Sequence, residues 1–276
     1  MKTPPGMKIF FAIVLAALMA SSVVEAGTAC ETSPPNPRKI AAAADMALRV
    51  AAALDDADAP VALVARHGQD VSKYGLYYSH VGFALRDSPD GRWSVIHLLN
   101  DCGSERSSLY AQGLVDFFSD NLVDVDARII WLQPRQAERL AAQLLDDPSR
   151  LLHEPRYNLI ARPGSTRYQN STMWVLENLA AILDADCTAR RASAQACVES
   201  DGFRSDRIHI AYGKRLLGGL FSANTVFTDH PLATRLSGNY QVVTVRAIVD
   251  YLQRAGHVEH EMEWRGGRLQ TEVGAL

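Results

Sequence analysis

The chain has 276 residues, of which 47% are hydrophobic and 21% charged, with a formal net charge of -3. That composition suits a globular protein with a substantial core. It carries no basic excess of the kind that marks a nucleic-acid partner and no acidic block of the kind that marks a disordered tail.

The N-terminus differs in kind from the rest. Lys2 and Lys8 precede an apolar run from Ile9 to Ala20, which is short for a membrane span. Val24-Glu25-Ala26 then supplies small residues at the positions a signal peptidase reads. Residues 1–26 are expected to be a signal peptide, which implies a periplasmic or secreted protein with no stable membrane anchor after processing. Cys30, Cys102, Cys187 and Cys197 all follow it. An even cysteine count in an exported chain points to disulfides, with three pairings possible. Cys187 with Cys197 closes a short polar loop, and Cys30 with Cys102 would then tie the N-terminal arm to a strand end. No spacing marks a zinc cluster or a redox motif.

After a proline-bearing arm, alanine-rich helical spacing predicts a helix from Arg38 to about Leu54. Val61–Arg66 reads as a strand. Tyr77 to Arg86 reads as a second one, and Trp93 to Leu99 returns after the turn signal Asp87-Ser88-Pro89-Asp90-Gly91. Leu109 to Phe118 is expected as one helix or a pair of helical turns, Arg128–Leu132 as a strand, and Arg135 to Leu145 as a helix opened by Pro134. Thr172 to Leu183 has the widest apolar helical face of the chain. Gly218-Gly219 interrupts a later apolar segment, and Phe227 to Pro231 reads as a loop. Tyr240 to Val243 is expected as a strand and Thr244 as the cap of a helix running to Arg254, and the charged tail after Gly256 is expected to be mobile. The fold class is therefore α+β, an antiparallel sheet with helices on one side. Residues 27–276 form a single domain in this reading, with a core over about 60–185 and a C-terminal helical elaboration over 186–276.

Two stretches carry the candidate chemistry. In the second strand, alternation puts His80 with Gly82 and Ala84 on one face, whose small side chains let another element approach the imidazole. His97 on the return strand is placed to meet His80, with Asn100 nearby to orient it. At the start of the buried helix, Asn170 and Ser171 occupy a terminus with free N–H groups and a positive dipole end, suited to a nucleophile or an oxyanion. Asn and Ser are equally the preferred helix N-caps. His80, His97 and Ser171 are the candidate catalytic residues. Tyr78, Asn100, Arg167, Tyr168 and Asn170 are candidate binding residues. No spacing among His67, His80 and His97 marks a metal centre, and no cofactor is expected.

The order of Ser79-His80-Val81-Gly82 in a strand, a return strand, a further strand and helix, and then Tyr168-Gln169-Asn170-Ser171 opening a buried helix resembles a circularly permuted papain-like domain of the NlpC/P60 kind. The resemblance covers about residues 60–185. It implies His80 as base, His97 or Asn100 as its orienting partner, and a cysteine nucleophile where this chain has Asn170. The mature chain is also similar to a family of secreted bacterial proteins, domain of unknown function 2145. That similarity is carried by Gly68-Gln69-Asp70, Tyr78-Ser79-His80, His97-Leu98-Leu99-Asn100, His153-Glu154-Pro155-Arg156-Tyr157, Ser165 to Ser171 and Asp229-His230-Pro231. Without the thiol, the expectation is a papain-like module that binds a cell-envelope peptide, glycan or lipid. The alternative is an envelope hydrolase or acyl transferase that uses Ser171 with His80 as base.

Overall fold

The structure is a computed structural model, and it describes residues 36–120, 122–146, 152–188, 190–215 and 224–274. Residues 1–26 and Gly218-Gly219 lie outside the described residues.

Helix α1 (Pro37–Asp56) is capped by Asn36 and followed by strand β1 (Val61–Arg66). Strands β2 (His80–Leu85), β3 (Ser94–Asn100) and β4 (Ser107–Gln112) form a meander, and helix α2 (Leu114–Ser119) leads on to β5 (Ala127–Leu132). Helices α3 (Pro134–Asp146), α4 (Ser171–Leu179) and α5 (Arg191–Ser200) come next. A small ribbon of β6 (Asp206–His209) and β7 (Asn239–Val242) brackets α6 (Leu232–Ser237). Helix α7 (Val245–Arg254) precedes a final hairpin of β8 (Val258–Arg265) and β9 (Arg268–Gly274).

The main sheet has seven antiparallel strands in the order β4-β3-β2-β1-β5-β8-β9. Its central strands are covered on both faces, which corrects the expectation of helices on one side. Every residue of β1 and β2 is buried, so these strands lack the polar outer row of a one-sided sheet. On one face Leu63, Phe83, Leu98 and Ile130 pack against α3, α4 and α7. On the other, Val64, Ala84, Val95, Ile129 and Trp131 pack against α1 and α2. Each large side chain fully buried in this way contributes about 1.5–3 kcal/mol.

Three further expectations change. The helix expected over Leu109 to Phe118 is the strand β4 followed by the short helix α2, and Gly113 is the residue that separates them. Leu140, Leu144 and Leu145 would share one side of the helix that Pro134 opens, but Leu145 is exposed and only Leu140 and Leu144 reach the core. The tail after Gly256 is not a loose end. Gly266 and Gly267, with φ of 57° and 72°, make the left-handed turn that a two-residue hairpin needs, and β8 joins the sheet beside β5. The residues after 186 thus add strands as well as helices.

Thr244 caps α7 as expected, with its side chain accepting from the Ala247 amide. Cys187 and Cys197 form a disulfide that pins the turn before α5 to that helix. Cys102 is also disulfide-bonded, and its expected pairing with Cys30 falls outside the described residues. Among the described residues no helix is long and apolar enough to cross a membrane.

Candidate functional site

The two expected histidines come together. His80 opens β2, and its Nε2 lies 2.8 Å from Nδ1 of His97 on β3. Nε2 of His97 lies 2.8 Å from the side-chain oxygen of Gln112 on β4. Gln112 presents an acceptor, so His97 must carry its proton on Nε2 and accept at Nδ1. His80 therefore donates to His97, which donates to Gln112, in a row across three neighbouring strands.

Gly82 makes this contact possible. A Cβ at residue 82 would sit 2.7 Å from a Val95 methyl and 2.9 Å from the His97 Cβ. The small-residue face of β2 thus receives its neighbouring strand's side chains. The element expected there, the buried helix, is elsewhere.

Arg66 closes the cluster from below. It stands opposite His80 in the β1–β2 register, donates to Asp120 at 2.6 Å and to the Phe117 carbonyl, and lies 4.5 Å from the Phe117 ring centroid. Burial lowers the pKa of His80 well below its ordinary value, and the charge of Arg66 adds to the effect. Burial, then Arg66, brings His97 down to about 4. Both rings are neutral at physiological pH. Arg66, Gln112 and Asp120 escaped the sequence reading. The one signal for Arg66 was an arginine closing an otherwise apolar strand.

The structure does not bring His80 and Ser171 together. His80 faces Phe117 of α2, with ring centroids 5.9 Å apart, whereas Phe83, one step out of phase, faces Trp174 of α4 at 5.5 Å. The sheet lies between the imidazole and the α4 terminus, and a base on one face cannot deprotonate a hydroxyl on the other. Asn170 is the N-cap. Its Oδ1 accepts from the Met173 amide at 2.9 Å and from the Thr172 hydroxyl at 3.1 Å, while its Nδ2 donates to the Leu159 carbonyl at 3.0 Å. The carbonyl edge of the amide is committed to the cap and one of its two N–H groups to Leu159, on a residue that is buried.

The other expected binding residues divide into two groups. Tyr78 is buried and donates to Glu263 at 2.9 Å, and burial followed by the Glu263 charge raises its pKa. Asn100 donates to the carbonyls of Ser104 and Arg106 and accepts from Asn224, so it holds a turn. Arg167 and Tyr168 remain at the surface, with the guanidinium carbon 5.3 Å from the ring centroid. Arg106 and Arg156 meet in an antiparallel bridge, and the Gln169 amide donates to the Arg156 carbonyl at 3.0 Å. Three exposed arginines and a tyrosine are thereby gathered by the loops around the α4 entrance.

That loop surface is held from beneath. Glu177, fully buried on α4, accepts from Arg191 at 2.8 Å, from Gln195 and from Gln169. Arg191 also donates to the carbonyls of Thr166 and Tyr168 at 2.7 and 3.0 Å. Asp229 accepts from the Arg162 amide and the Ser165 hydroxyl, and His230 bonds the Ile160 carbonyl, so both serve the same segment.

One serine–histidine contact was not foreseen. The Ser107 hydroxyl lies 3.2 Å from Nε2 of His153 and 3.4 Å from the Glu154 carbonyl. The nearby amides are committed, Ser107 N to the Pro155 carbonyl and Arg106 N to Ser104 Oγ. An acyl oxyanion at Ser107 would find neither of these donors free.

A family model, DUF2145, described as an uncharacterized protein conserved in bacteria, matches residues 53–252. No curated protein and no solved structure matches the chain.

Proposed function

The chain belongs to the DUF2145 family of bacterial proteins, and from that premise we propose that it is an exported, non-catalytic module that binds an anionic component of the cell envelope. The binding surface is formed by Arg106, Arg167 and Tyr168, with Arg156 beside them held by Glu154 at 2.8 and 3.1 Å. The observation that carries this reading is the fate of the expected site residues. Tyr78 and Asn100 are committed to internal hydrogen bonds and Asn170 to capping its helix, whereas Arg106 and Arg167 are exposed beside the half-buried Tyr168, and Arg156 next to them is already paired with Glu154. A guanidinium over a phenol ring offers bidentate donors to a carboxylate or phosphate and an apolar platform to the carbon skeleton that bears it. Export is supported by the apolar run after Lys8, the small residues up to Ala26 and the Cys187–Cys197 disulfide.

Purified mature protein is expected to co-sediment with isolated peptidoglycan sacculi, whose stem peptides carry carboxylates, and to be released by salt. Replacing Arg106 and Arg167 together by glutamine is expected to weaken retention on the order of tenfold, equivalent to about 1.4 kcal/mol. Undiminished retention of that double variant would rule out this surface.

The non-catalytic half of the reading has its own check. A serine-directed fluorophosphonate is expected to leave the wild-type protein unlabelled, because the sheet separates His80 from Ser171 and Ser107 stands among committed amides. Labelling that disappears in Ser107→Ala would restore a hydrolase.

A further inference from the structure

His67 directly follows β1, and Asp126 directly precedes the neighbouring strand β5. Because Arg66 pairs with Ala127, these two residues meet at the same end of the sheet. Asp124 completes a group in which one ligand atom from each residue lies within 4.8 Å of the others. Acidic residues gathered at a loop are common without a ligand. The imidazole distinguishes this group. The His67 side chain is only 9% exposed, yet its Nδ1 has no hydrogen-bond partner and sits 3.5 Å from an Asp124 carboxylate oxygen. A buried ring nitrogen left without a partner costs about 1–3 kcal/mol, so its retention asks for an occupant.

The surroundings are built to aim these groups. The Val123 amide donates to the His67 carbonyl at 3.2 Å, which stitches the acidic loop to the end of β1. Asp126 is buried and receives the Tyr77 hydroxyl on one oxygen and the Gly266 amide on the other, at 2.9 Å for the latter. Each carboxylate oxygen accepts two bonds readily, so each keeps a lone pair. The Tyr77 ring lies against His67 with centroids 4.3 Å apart and a 32° tilt, which restricts the imidazole. Oriented carboxylates and imidazoles of this kind are the outer support that metal ligands use. Arg265, whose guanidinium carbon lies 3.9 Å from the Tyr77 centroid, is the nearby cation, and Glu263 neutralises it at 2.7 Å.

We propose that His67, Asp124 and Asp126 bind a divalent transition-type cation such as Zn2+, with water completing the shell. One nitrogen and two oxygen donors suit zinc, whereas magnesium prefers oxygen donors and retained water. Tetrahedral zinc with bonds of about 2.0–2.1 Å places its ligand atoms roughly 3.3–3.5 Å apart. The His67–Asp124 separation of 3.5 Å already matches that edge. Asp124, 63% exposed, is the side chain free to swing inward and close the rest. The bound ion would join the ends of two adjacent strands and satisfy the His67 nitrogen. Its site is separate from the arginine surface, so either proposal can fail alone.

The test is calorimetric titration of Zn2+ into untagged, chelator-treated full-length mature protein, with Mg2+ as the comparison. One equivalent is expected to bind, Mg2+ in hundredfold excess is expected not to displace it, and Asp124→Asn is expected to weaken it at least tenfold. Asp124 is mostly exposed, so that variant keeps the fold even if His67→Gln does not. Absence of saturable Zn2+ binding, or binding that survives Asp124→Asn within threefold, would overturn the assignment.

Discussion

Lowering the pH from 7 to 4 is expected to destabilise the folded protein by about 3 kcal/mol through His97 alone. In the unfolded chain a histidine titrates near ~6.5, and in the folded chain burial holds His97 at about 4. Between those values the unfolded chain binds the extra proton. Stability is therefore complete above ~6.5 and falls by roughly 1.4 kcal/mol per pH unit as the pH drops toward the folded pKa. His80 is shifted in the same direction and adds to the loss. The cause is first the burial of both rings, which penalises a charge on either, and then the buried guanidinium of Arg66 beside them. Urea unfolding at a series of pH values would show it, with His97→Gln as the comparison. Glutamine can accept from His80 and donate to Gln112 but cannot titrate, so its profile is expected to be flatter by about that amount. Parallel profiles for the two proteins would mean that the histidine pair is not held neutral by burial.

Removing Arg191 is expected to cost about 3–5 kcal/mol, the usual loss when one partner of a buried ion pair is deleted. Glu177 is fully buried, and Arg191 reaches it with two nitrogens at 2.8 Å. Burial already raises the pKa of Glu177, against the lowering effect of Arg191. In Arg191→Met the carboxyl loses its main counter-charge and is expected to take up a proton. The deficit relative to wild type should therefore shrink as the pH falls. The double variant Glu177→Gln with Arg191→Met is expected to recover most of the loss, because the charge that needed a partner has gone. A double variant as unstable as the single one would place the importance of Arg191 in its bonds to the Thr166 and Tyr168 carbonyls. Those bonds hold the backbone of the proposed binding surface, so retention on sacculi measured beside stability separates the two contributions.

Much of the sheet was legible because its strands have clear ends. Val61–Arg66 is an apolar run of strand length, and the turn at Asp87–Gly91 forces the next strand back beside the second. From these, the meeting of His80 with His97 follows by alternation and pairing. Which layer covers which face does not. A period of two sorts residues into two rows, and on β2 both rows are buried, so the pattern itself cannot say whether Gly82 or Phe83 looks toward α4. The attractive partnership of His80 with Ser171 failed on that single binary choice. Other gaps have equally local causes. Gly113 divides a strand from a helix within one apolar stretch that reads as helical throughout. The alternation of Val258, His260, Met262 and Trp264 is diluted by charged neighbours on a half-exposed strand. The candidate cation ligands were invisible because His67 and Asp124 are far apart in the chain and are joined only by strand pairing.

The place of β8 in the sheet also sets an order of events during synthesis. Arg128 on β5 bonds Glu261 on β8 across 133 positions of sequence. Until that late segment emerges, β5 has an open edge bearing Ile129, Ile130 and Trp131. At about 5–20 residues per second, a ribosome leaves that edge unpaired for roughly ten seconds. A chain released before residue 258 lacks the closing strand and offers the same edge to any other unpaired strand, the usual route to aggregation. The burial of the β5 edge therefore depends on a segment more than a hundred residues further along the chain.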